Sequence, residues 1–201
     1  MATLELGVLV SGNGSNLQAI LDAVQSKQLD ARIRLVVSNR EQAYALERAR
    51  GAGVPAVVCS HRGMASREAY DEKLVSLLRD AGVEYVVLAG FMRILSPVFV
   101  RAFHGRVLNI HPALLPSFPG VNALGQALAH GVKVTGVTVH WVDDGVDTGP
   151  IIAQRAVAIL PGDDEASLAA RVHAVEHELY VEVLRDLAEG KVLPPSPAKE
   201  G

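Results

Sequence analysis

The sequence contains little cysteine and few aromatic residues. Cys59 is the single cysteine among 201 residues, which excludes an intrachain disulfide and leaves no CxxC pair for a zinc site. Aromatic residues make up only 4% of the chain, so its core must be aliphatic. Cys59 lies in the apolar run VPAVVCS. We expect it to be a small buried residue of a reduced, cytoplasmic protein.

The sequence also lacks an excess of positive charge and a long apolar run. The formal net charge is −3 and the isoelectric point is about 6.2, which argues against a nucleic-acid-binding surface. No positive segment precedes the first apolar run, as it would in a signal peptide. No apolar stretch approaches the ~20 residues that cross a bilayer. We therefore expect small-molecule partners, with neither nucleic acid nor membrane among them.

Five apolar runs, rich in Val, Leu and Ile, alternate with amphipathic segments through the first two-thirds of the chain. The runs lie near 4–11, 33–38, 55–60, 84–89 and 106–111. They are apolar on both faces, which is typical of buried parallel strands. Because helical segments separate them, the pattern predicts an α/β fold with a doubly wound, mostly parallel sheet and helices on both of its faces.

The pattern changes after residue 111. The irregular, proline-containing loop HPALLPSFPG comes first, and a short helix is predicted near 123–130. Two strand-like runs follow at 134–142 and 150–159. They should be antiparallel, because the loop between them is too short for a parallel crossover. A long helix is predicted over about 163–189.

Local signals mark the helix ends and the domain limits. In SREAYDEKLVSLLRDAG, Ser66 can cap the helix, Glu68 favours its positive end, and Gly82 can end it. We find no internal repeat and no linker. The sequence therefore predicts a single domain over 1–201, with 192–201 as a mobile tail.

A glycine-rich turn, SGNGSN, follows the first predicted strand and precedes a helix. Leu17 takes the place of the third glycine of a dinucleotide-binding turn, and no P-loop lysine follows. Gly12 and Gly14 permit a tight turn, and Ser15 and Asn16 would open a helix whose N–H groups favour an anion. The alternative is a plain turn in which Ser15 or Asn16 only caps the helix. We favour a phosphate site.

The run NIHP ends the fifth predicted strand. Asn109 and His111 are two residues apart, so both side chains lie on one face of that strand. An amide donor beside an imidazole suits a carbonyl oxygen that is becoming an oxyanion. The alternative is a histidine bonded to a nearby carbonyl at a strand end. Pro112 restricts the backbone where the chain leaves this strand.

An acidic loop, DDGVDTGP, joins the two antiparallel strands. Asp143, Asp144 and Asp147 could form a solvated hairpin loop, a Mg²⁺ or Ca²⁺ site without EF-hand spacing, or a carboxylate that orients His111 and favours its charged form. Residues 173 and 176, a histidine and a glutamate, share a helix face, as an ordinary surface pair would. The other histidines, including the one at position 140, carry little signal individually.

Several segments together resemble one known family. The segments are SGNGSN, VVSN, LAGFMRILSP, NIHPALLPSFPG, TGVTVHWVDDGVDTGPII and RVHAVEHELY. They are similar to the phosphoribosylglycinamide formyltransferases, folate-dependent enzymes of purine synthesis, from about residue 6 to 190. The resemblance implies a Rossmann-like formyltransferase fold. It also implies transfer of a formyl group from 10-formyltetrahydrofolate, as co-substrate, to the amine of glycinamide ribonucleotide.

The resemblance also implies a role for each matched residue. The implied catalytic residues are Asn109, His111 and Asp147. Those implied to bind glycinamide ribonucleotide are Gly14, Ser15, Asn16, His173 and Glu176. Those implied to bind the folate are Arg67, Met92, Arg93, Ile94, Leu95, Asn109, Asp143, Asp144, Gly145, Val146 and Asp147, with Arg67 meeting its glutamyl tail. No metal is implied, and we expect a monomer or weak homodimer.

The sequence departs from the family pattern at two places. After the proline loop it has Asn122, Leu124 and Gly125, where more polar or basic residues are common, and His173 takes the place of glutamine or lysine. A polar contact near the site is therefore expected to be missing. The rival interpretations are a methionyl-tRNA formyltransferase, a formyltetrahydrofolate hydrolase and a catalytically silent nucleotide-binding module. The last would leave Asn109, His111 and Asp147 unexplained.

Overall fold

The computed structural model describes residues 3–195, which form a seven-stranded sheet with helices on both faces. The strands are β1 (Leu4–Val10), β2 (Ala31–Ser38), β3 (Ala56–Val58), β4 (Tyr85–Leu88), β5 (Val107–His111), β6 (Val134–Trp141) and β7 (Ile151–Ala158). The helices are α1 (Ser15–Gln25), α2 (Tyr44–Gly51), α3 (Arg67–Asp80), α4 (Pro97–Ala102), α5 (Ala123–His130) and α6 (Glu165–Ala188). Every strand and helix predicted from the sequence is present, with boundaries shifted by a few residues.

The strand order is β3-β2-β1-β4-β5-β6-β7. The first five strands in sequence are parallel, whereas β6 is antiparallel to both β5 and β7. The predicted doubly wound, mostly parallel sheet with an antiparallel pair near its C-terminal end is confirmed. The winding reverses between β1 and β4, which lie side by side. Ligands of open parallel sheets bind at such a reversal, beyond the carboxyl ends of the strands.

Two clusters of buried side chains hold the helices to the sheet. Val8 of β1 packs in one cluster with Leu17 of α1 and Val172 of α6. Leu9, the next residue of β1, packs in the other with Leu74 of α3 and Phe99 of α4. Successive strand residues point to opposite faces, so a strand that is apolar throughout supplies both clusters. Each fully buried aliphatic side chain contributes about 1.5–3 kcal/mol relative to exposure.

The helix ends follow the local signals of the sequence. Ser66 caps α3 as predicted, and its Oγ accepts from the Ala69 N–H at 3.0 Å. Asp164 and Ser167 cap α6 reciprocally. Such caps each contribute about 1 kcal/mol. Cys59 is buried, as expected.

The single-domain organisation stays a prediction. Of the predicted tail, 192–201, the part from residue 196 onward lies outside the described residues. Within residues 3–195, no helix is both long enough and apolar enough to cross a bilayer.

Candidate active site

The loops after β1 and β4 open side by side at the carboxyl edge of the sheet. The two strands pair in parallel, with Leu9 opposite Leu88. Ser11–Gly14 therefore comes next to the segment that begins at Ala89. The strand order thus places both loops at the reversal of winding, where open parallel sheets bind ligands.

The glycine-rich turn presents the open end of α1 to this crevice. Gly14 occupies the N-cap position with φ 76°, and no side chain among the described residues caps the helix. The predicted alternative, capping by Ser15 or Asn16, is therefore not what the structure has. The first backbone N–H groups of a helix carry partial positive charge and have no partner within the helix. The turn thus has the geometry of an anion site.

Arg48 of α2 holds this turn from the side. Its Nε donates to the Asn13 carbonyl at 2.8 Å, and its Nη2 donates to the Asn13 side chain at 2.8 Å. Its Nη1 donates to Gln18 of α1 at 3.1 Å. A planar guanidinium fits such a set of acceptors. The contacts fix the turn and place a positive charge beside it.

Glu176 of α6 joins the turn to the last helix. The carboxylate is buried and accepts from Asn16 Nδ2 at 3.4 Å and from His173 Nδ1 at 2.7 Å. The His173 side chain is about half exposed. The hydrogen bond to Glu176 raises the pKa of His173, and burial opposes it only partly. His173 and Glu176 thus form a hydrogen-bonded pair beside the glycine-rich turn rather than an isolated surface pair.

Asn109, His111 and Asp147 lie together. His111 Nδ1 is 3.4 Å from Asp147 Oδ2, and Asn109 Nδ2 is 3.4 Å from Asp147 Oδ1. Asn109 and His111 come from β5, whereas Asp147 comes from the loop between β6 and β7. Asp147 adopts a left-handed backbone conformation, with φ 54°. Asp tolerates this conformation better than most residues, and such backbone geometry is concentrated at functional sites.

The proline loop closes over this trio with two backbone contacts. His111 Nε2 lies 2.8 Å from the Phe118 carbonyl oxygen, and the Gly120 N–H donates to Asp147 Oδ2 at 2.8 Å. His111 therefore has an acceptor at each ring nitrogen, and only its charged form donates to both. The alternative of a histidine bonded to a carbonyl at a strand end is part of the observed geometry.

His140 of β6 is a fourth member of the cluster, which the sequence did not indicate. It pairs with Asn109 across the sheet. Its Nδ1 is 2.8 Å from the Trp141 carbonyl oxygen, and its Nε2 is 3.1 Å from Asn109 Nδ2 and 3.6 Å from Asp147 Oδ1. His140 Nε2 thus faces both the Asn109 amide and the Asp147 carboxylate. The signal available in the sequence was a histidine inside a strand that is otherwise apolar or hydroxylated.

The trio carries a charged carboxylate. Burial alone would raise the pKa of Asp147, but hydrogen bonding with His140 and Gly120 and the proximity of His111 outweigh burial, and the pKa is lowered. Asp147 is therefore ionised at neutral pH. Within residues 3–195, no group of three or more His, Cys, Asp or Glu side chains is placed to hold a metal ion.

A family model and a bacterial relative identify the family of this chain. The family model described as "Formyl transferase" matches residues 5–184. The "Phosphoribosylglycinamide formyltransferase" of Escherichia coli (strain K12) is 46% identical over 189 residues, which cover 94% of this chain and 89% of that protein. The chain belongs to the phosphoribosylglycinamide formyltransferase family.

Two further comparisons extend this formyltransferase assignment. The crystal structure of glycinamide ribonucleotide transformylase 1 from Symbiobacterium toebii superposes with a TM-score of 0.94, at 48% identity over 96% of this chain and 92% of that one. The "Trifunctional purine biosynthetic protein adenosine-3" of Drosophila pseudoobscura pseudoobscura is 52% identical over 187 residues. The chain spans only 14% of the length of that longer relative.

In this chain, the loop after β4 presents two apolar side chains to solvent. Met92 and Ile94 are exposed, whereas Leu95 is buried. The Arg93 guanidinium folds back over the Tyr70 ring, 4.8 Å from its centroid. Arg93 thus packs against α3 rather than reaching outward, and the loop offers its backbone and two apolar side chains to the crevice.

The remaining residues that were predicted to bind the folate lie in the acidic loop and at the start of α3. Asp143 Oδ1 accepts from Gly145 N–H at 3.1 Å and from Thr148 Oγ1 at 2.7 Å, so it shapes its own loop. Asp144, Gly145 and Val146 are exposed. Arg67 opens α3, and its one recorded ion pair within the described part of the chain is with Glu68 at 3.8 Å. The structure does not bring Arg67 into contact with the trio.

The three family departures after the proline loop have structural roles. Asn122 caps α5 from a left-handed conformation, and its side chain accepts from the Gly125 N–H at 3.3 Å. Leu124 is buried in the core. A Cβ on Gly125 would collide with the Asn122 side chain. These residues therefore stabilise the start of α5.

Proposed function

We propose that the protein transfers the formyl group of 10-formyltetrahydrofolate to the primary amine of glycinamide ribonucleotide, in de novo purine biosynthesis. The products are formylglycinamide ribonucleotide and tetrahydrofolate. One observation carries the proposal. A buried imidazole, a partly buried amide and a partly buried carboxylate lie together beside a sheet edge that also has an uncapped helix N-terminus and a loop with exposed apolar side chains. A silent nucleotide-binding module needs only the turn.

The ribonucleotide site is proposed at the start of α1. The N–H groups of Gly14, Ser15 and Asn16 would bind the 5′-phosphate, since uncapped helix N-termini favour anions. Glu176 and His173 would contact the ribose side. Arg48 supports this assignment, because it holds the turn and adds positive charge to it.

The folate site is proposed between the β4 loop and the acidic loop. The backbone of Met92–Leu95 would read the edge of the pterin ring, with Met92 and Ile94 against its faces. The loop from Asp143 to Asp147 would complete the cleft, and Arg67 would meet the glutamyl carboxylates. No metal is required, because the trio supplies both hydrogen-bond donors and charge.

The trio is proposed to stabilise negative charge on the formyl oxygen. That charge grows as the substrate amine attacks the formyl carbon. Asn109 and protonated His111 would donate to the oxygen, and loss of one such donor commonly costs about 10²–10³ in rate. His111 would exchange its Phe118 partner for this oxygen. Asp147 would hold the imidazole in place, with its Oδ2 3.4 Å from His111 Nδ1. His111 or an ordered water would then pass a proton to the departing folate nitrogen.

A formyl-transfer assay tests the proposal. Wild-type protein is incubated with glycinamide ribonucleotide and 10-formyltetrahydrofolate, and the formylated ribonucleotide is measured by mass alongside the absorbance change of the folate. Product should require both substrates and should nearly vanish in His111→Asn. Release of formate without a formylated ribonucleotide would contradict the proposal and indicate a hydrolase. Formylation of methionyl-tRNA instead would indicate the other rival.

A further inference from the structure

Ser11 joins the carboxyl ends of three neighbouring strands. It lies where β1 ends, and only 2% of the residue is exposed. Its Oγ is 2.6 Å from Oδ1 of Asn39, which follows β2, and 2.8 Å from the backbone nitrogen of Met92, in the loop after β4. The hydroxyl group therefore links the start of the glycine-rich turn to the β4 loop.

The directions of these bonds follow from which atoms carry protons. The Met92 N–H can only donate, so the Ser11 oxygen accepts from it. The single hydroxyl proton of Ser11 then goes to Asn39 Oδ1, which can only accept. Asn39 belongs to the run VVSN, which neither the trio nor the turn uses. Its side chain orients the Ser11 hydroxyl toward Met92.

A second buried side chain holds the other end of the β4 loop. Asp71 of α3 is buried, and its Oδ2 accepts from the Ser96 N–H at 2.5 Å. Between the two anchors, Met92 and Ile94 are 65% and 56% exposed. Leu95 and the Arg93 side chain, which lies over the Tyr70 ring, pack the loop between the two anchors. The two buried acceptors hold backbone N–H groups at its ends.

We propose that Ser11 is a positioning residue for the folate substrate. It holds the Met92 backbone, and Asn39 orients the hydroxyl that does so. The inference rests on the proposed function, since it takes Met92–Leu95 as the segment that reads the pterin ring.

The variant Ser11→Ala removes both bonds and keeps the buried Cβ. The Met92 N–H then loses its acceptor, and the loop loses one anchor. The KM for 10-formyltetrahydrofolate should rise about tenfold, a loss equivalent to about 1.4 kcal/mol and typical of one buried group left unpaired. The KM for glycinamide ribonucleotide should stay within about twofold, because uniform binding is lost only at the folate site.

Steady-state kinetics with each substrate varied in turn test the inference. The variants are Ser11→Ala, Asn39→Ala and the double variant. Ser26→Ala is the matched control, since Ser26 lies at the exposed end of α1 and its hydroxyl donates to the Asp22 carbonyl. Asn39→Ala keeps the Ser11 hydroxyl but not its orientation, so the folate KM should rise about threefold. The folate KM of the double variant should be no higher than that of Ser11→Ala.

The outcomes separate a positioning role from a structural one. A purely structural serine lowers the unfolding temperature without distinguishing the substrates. An unchanged folate KM, or an equal rise for both substrates, would overturn the inference. Should Ser11→Ala not fold, the Asn39→Ala kinetics decide by the same criterion. Absence of formyl transfer by the wild type contradicts the proposed function, whereas transfer with unaltered folate KM in the variants contradicts only the role of Ser11.

Discussion

Replacing Gly14 by alanine should destabilise the protein through two separate effects. Gly14 has φ 76°, a left-handed conformation in which a Cβ costs about 1–2 kcal/mol. A Cβ atom on Gly14 would also lie 2.5 Å from Cβ of Ala45 and 2.9 Å from its Cα. Forcing apart such a contact costs typically about 1–3 kcal/mol. Gly14→Ala should therefore lower the free energy of unfolding by about 2–5 kcal/mol.

Gly12→Ala is the matched control two residues away. A Cβ on Gly12 meets nothing within 4 Å among the described residues, and its φ is outside the left-handed range. Its unfolding free energy should change by no more than about 0.5 kcal/mol. For a domain of this size, Gly14→Ala should lower the Tm by about 4–20 °C. Thermal unfolding followed by circular dichroism measures both variants.

A second substitution separates the two effects. Ala45→Gly removes the atom that a Cβ on Gly14 would strike, although glycine in α2 itself costs about 1 kcal/mol. The double variant should therefore lose less than the sum of the single losses. Equal unfolding midpoints for Gly14→Ala and Gly12→Ala would refute the packing argument. Because α2 packs against Gly14, a raised ribonucleotide KM in Gly14→Ala reports movement of the turn as well as crowding of a phosphate.

Four further substitutions test the proposed site. His111→Asn should lower kcat by about 10²–10³, and adding Asp147→Asn should cost little more, because the two residues act as one unit; a double-mutant cycle on kcat measures this. Arg67→Ala should raise the KM for 10-formyltetrahydrofolate, with a smaller effect on a folate analogue that lacks the glutamyl tail. The hydrogen bond to Glu176 raises the pKa of His173. The imidazole is therefore fully protonated at pH values below the ordinary histidine pKa, and it loses its positive charge as the pH rises through the raised pKa. The ribonucleotide KM should therefore increase with pH in the wild type and stay flatter in His173→Gln.

Each of these predictions has a result that would contradict it. Rate losses that multiply independently would mean that His111 and Asp147 are not coupled. An equal rise in KM for both folates in Arg67→Ala would show that Arg67 does not bind the glutamyl tail. Arg79→Ala, at the exposed far end of the same helix, is the control for this variant. An identical pH profile of KM in the wild type and in His173→Gln would exclude the imidazole from ribonucleotide binding.

The parallel part of the fold could be predicted because its signals are local. Runs that are apolar on both faces identify buried strands, and Ser66 predicts the start of a helix. The crevice follows from the same information, since a reversal of winding brings together the loops after β1 and β4. Asn109 and His111 could be paired from their spacing within one strand.

The rest of the site depends on contacts between segments far apart in sequence. Asp147 reaches His111 only because the loop after β6 folds back over β5. His140 could not be chosen from sequence, since its partner Asn109 is set by strand register. Arg48 lies on an ordinary amphipathic helix and gains its role only when α2 packs beside the turn. Propensity and periodicity carry no information on such contacts.

The placement of Asp147 makes one surface loop intolerant of changes in length. Its Oδ1 faces Asn109 and His140, and its Oδ2 faces His111 and the Gly120 N–H. A single carboxylate thus contacts β5, β6 and the proline loop and holds them in fixed positions relative to one another. Surface loops ordinarily accept insertions and deletions. Here one added or removed residue would rotate the carboxylate away from every partner at once. We therefore expect the residue count of this loop to be fixed, and a series of insertions between residues 142 and 150 scored for activity would show this.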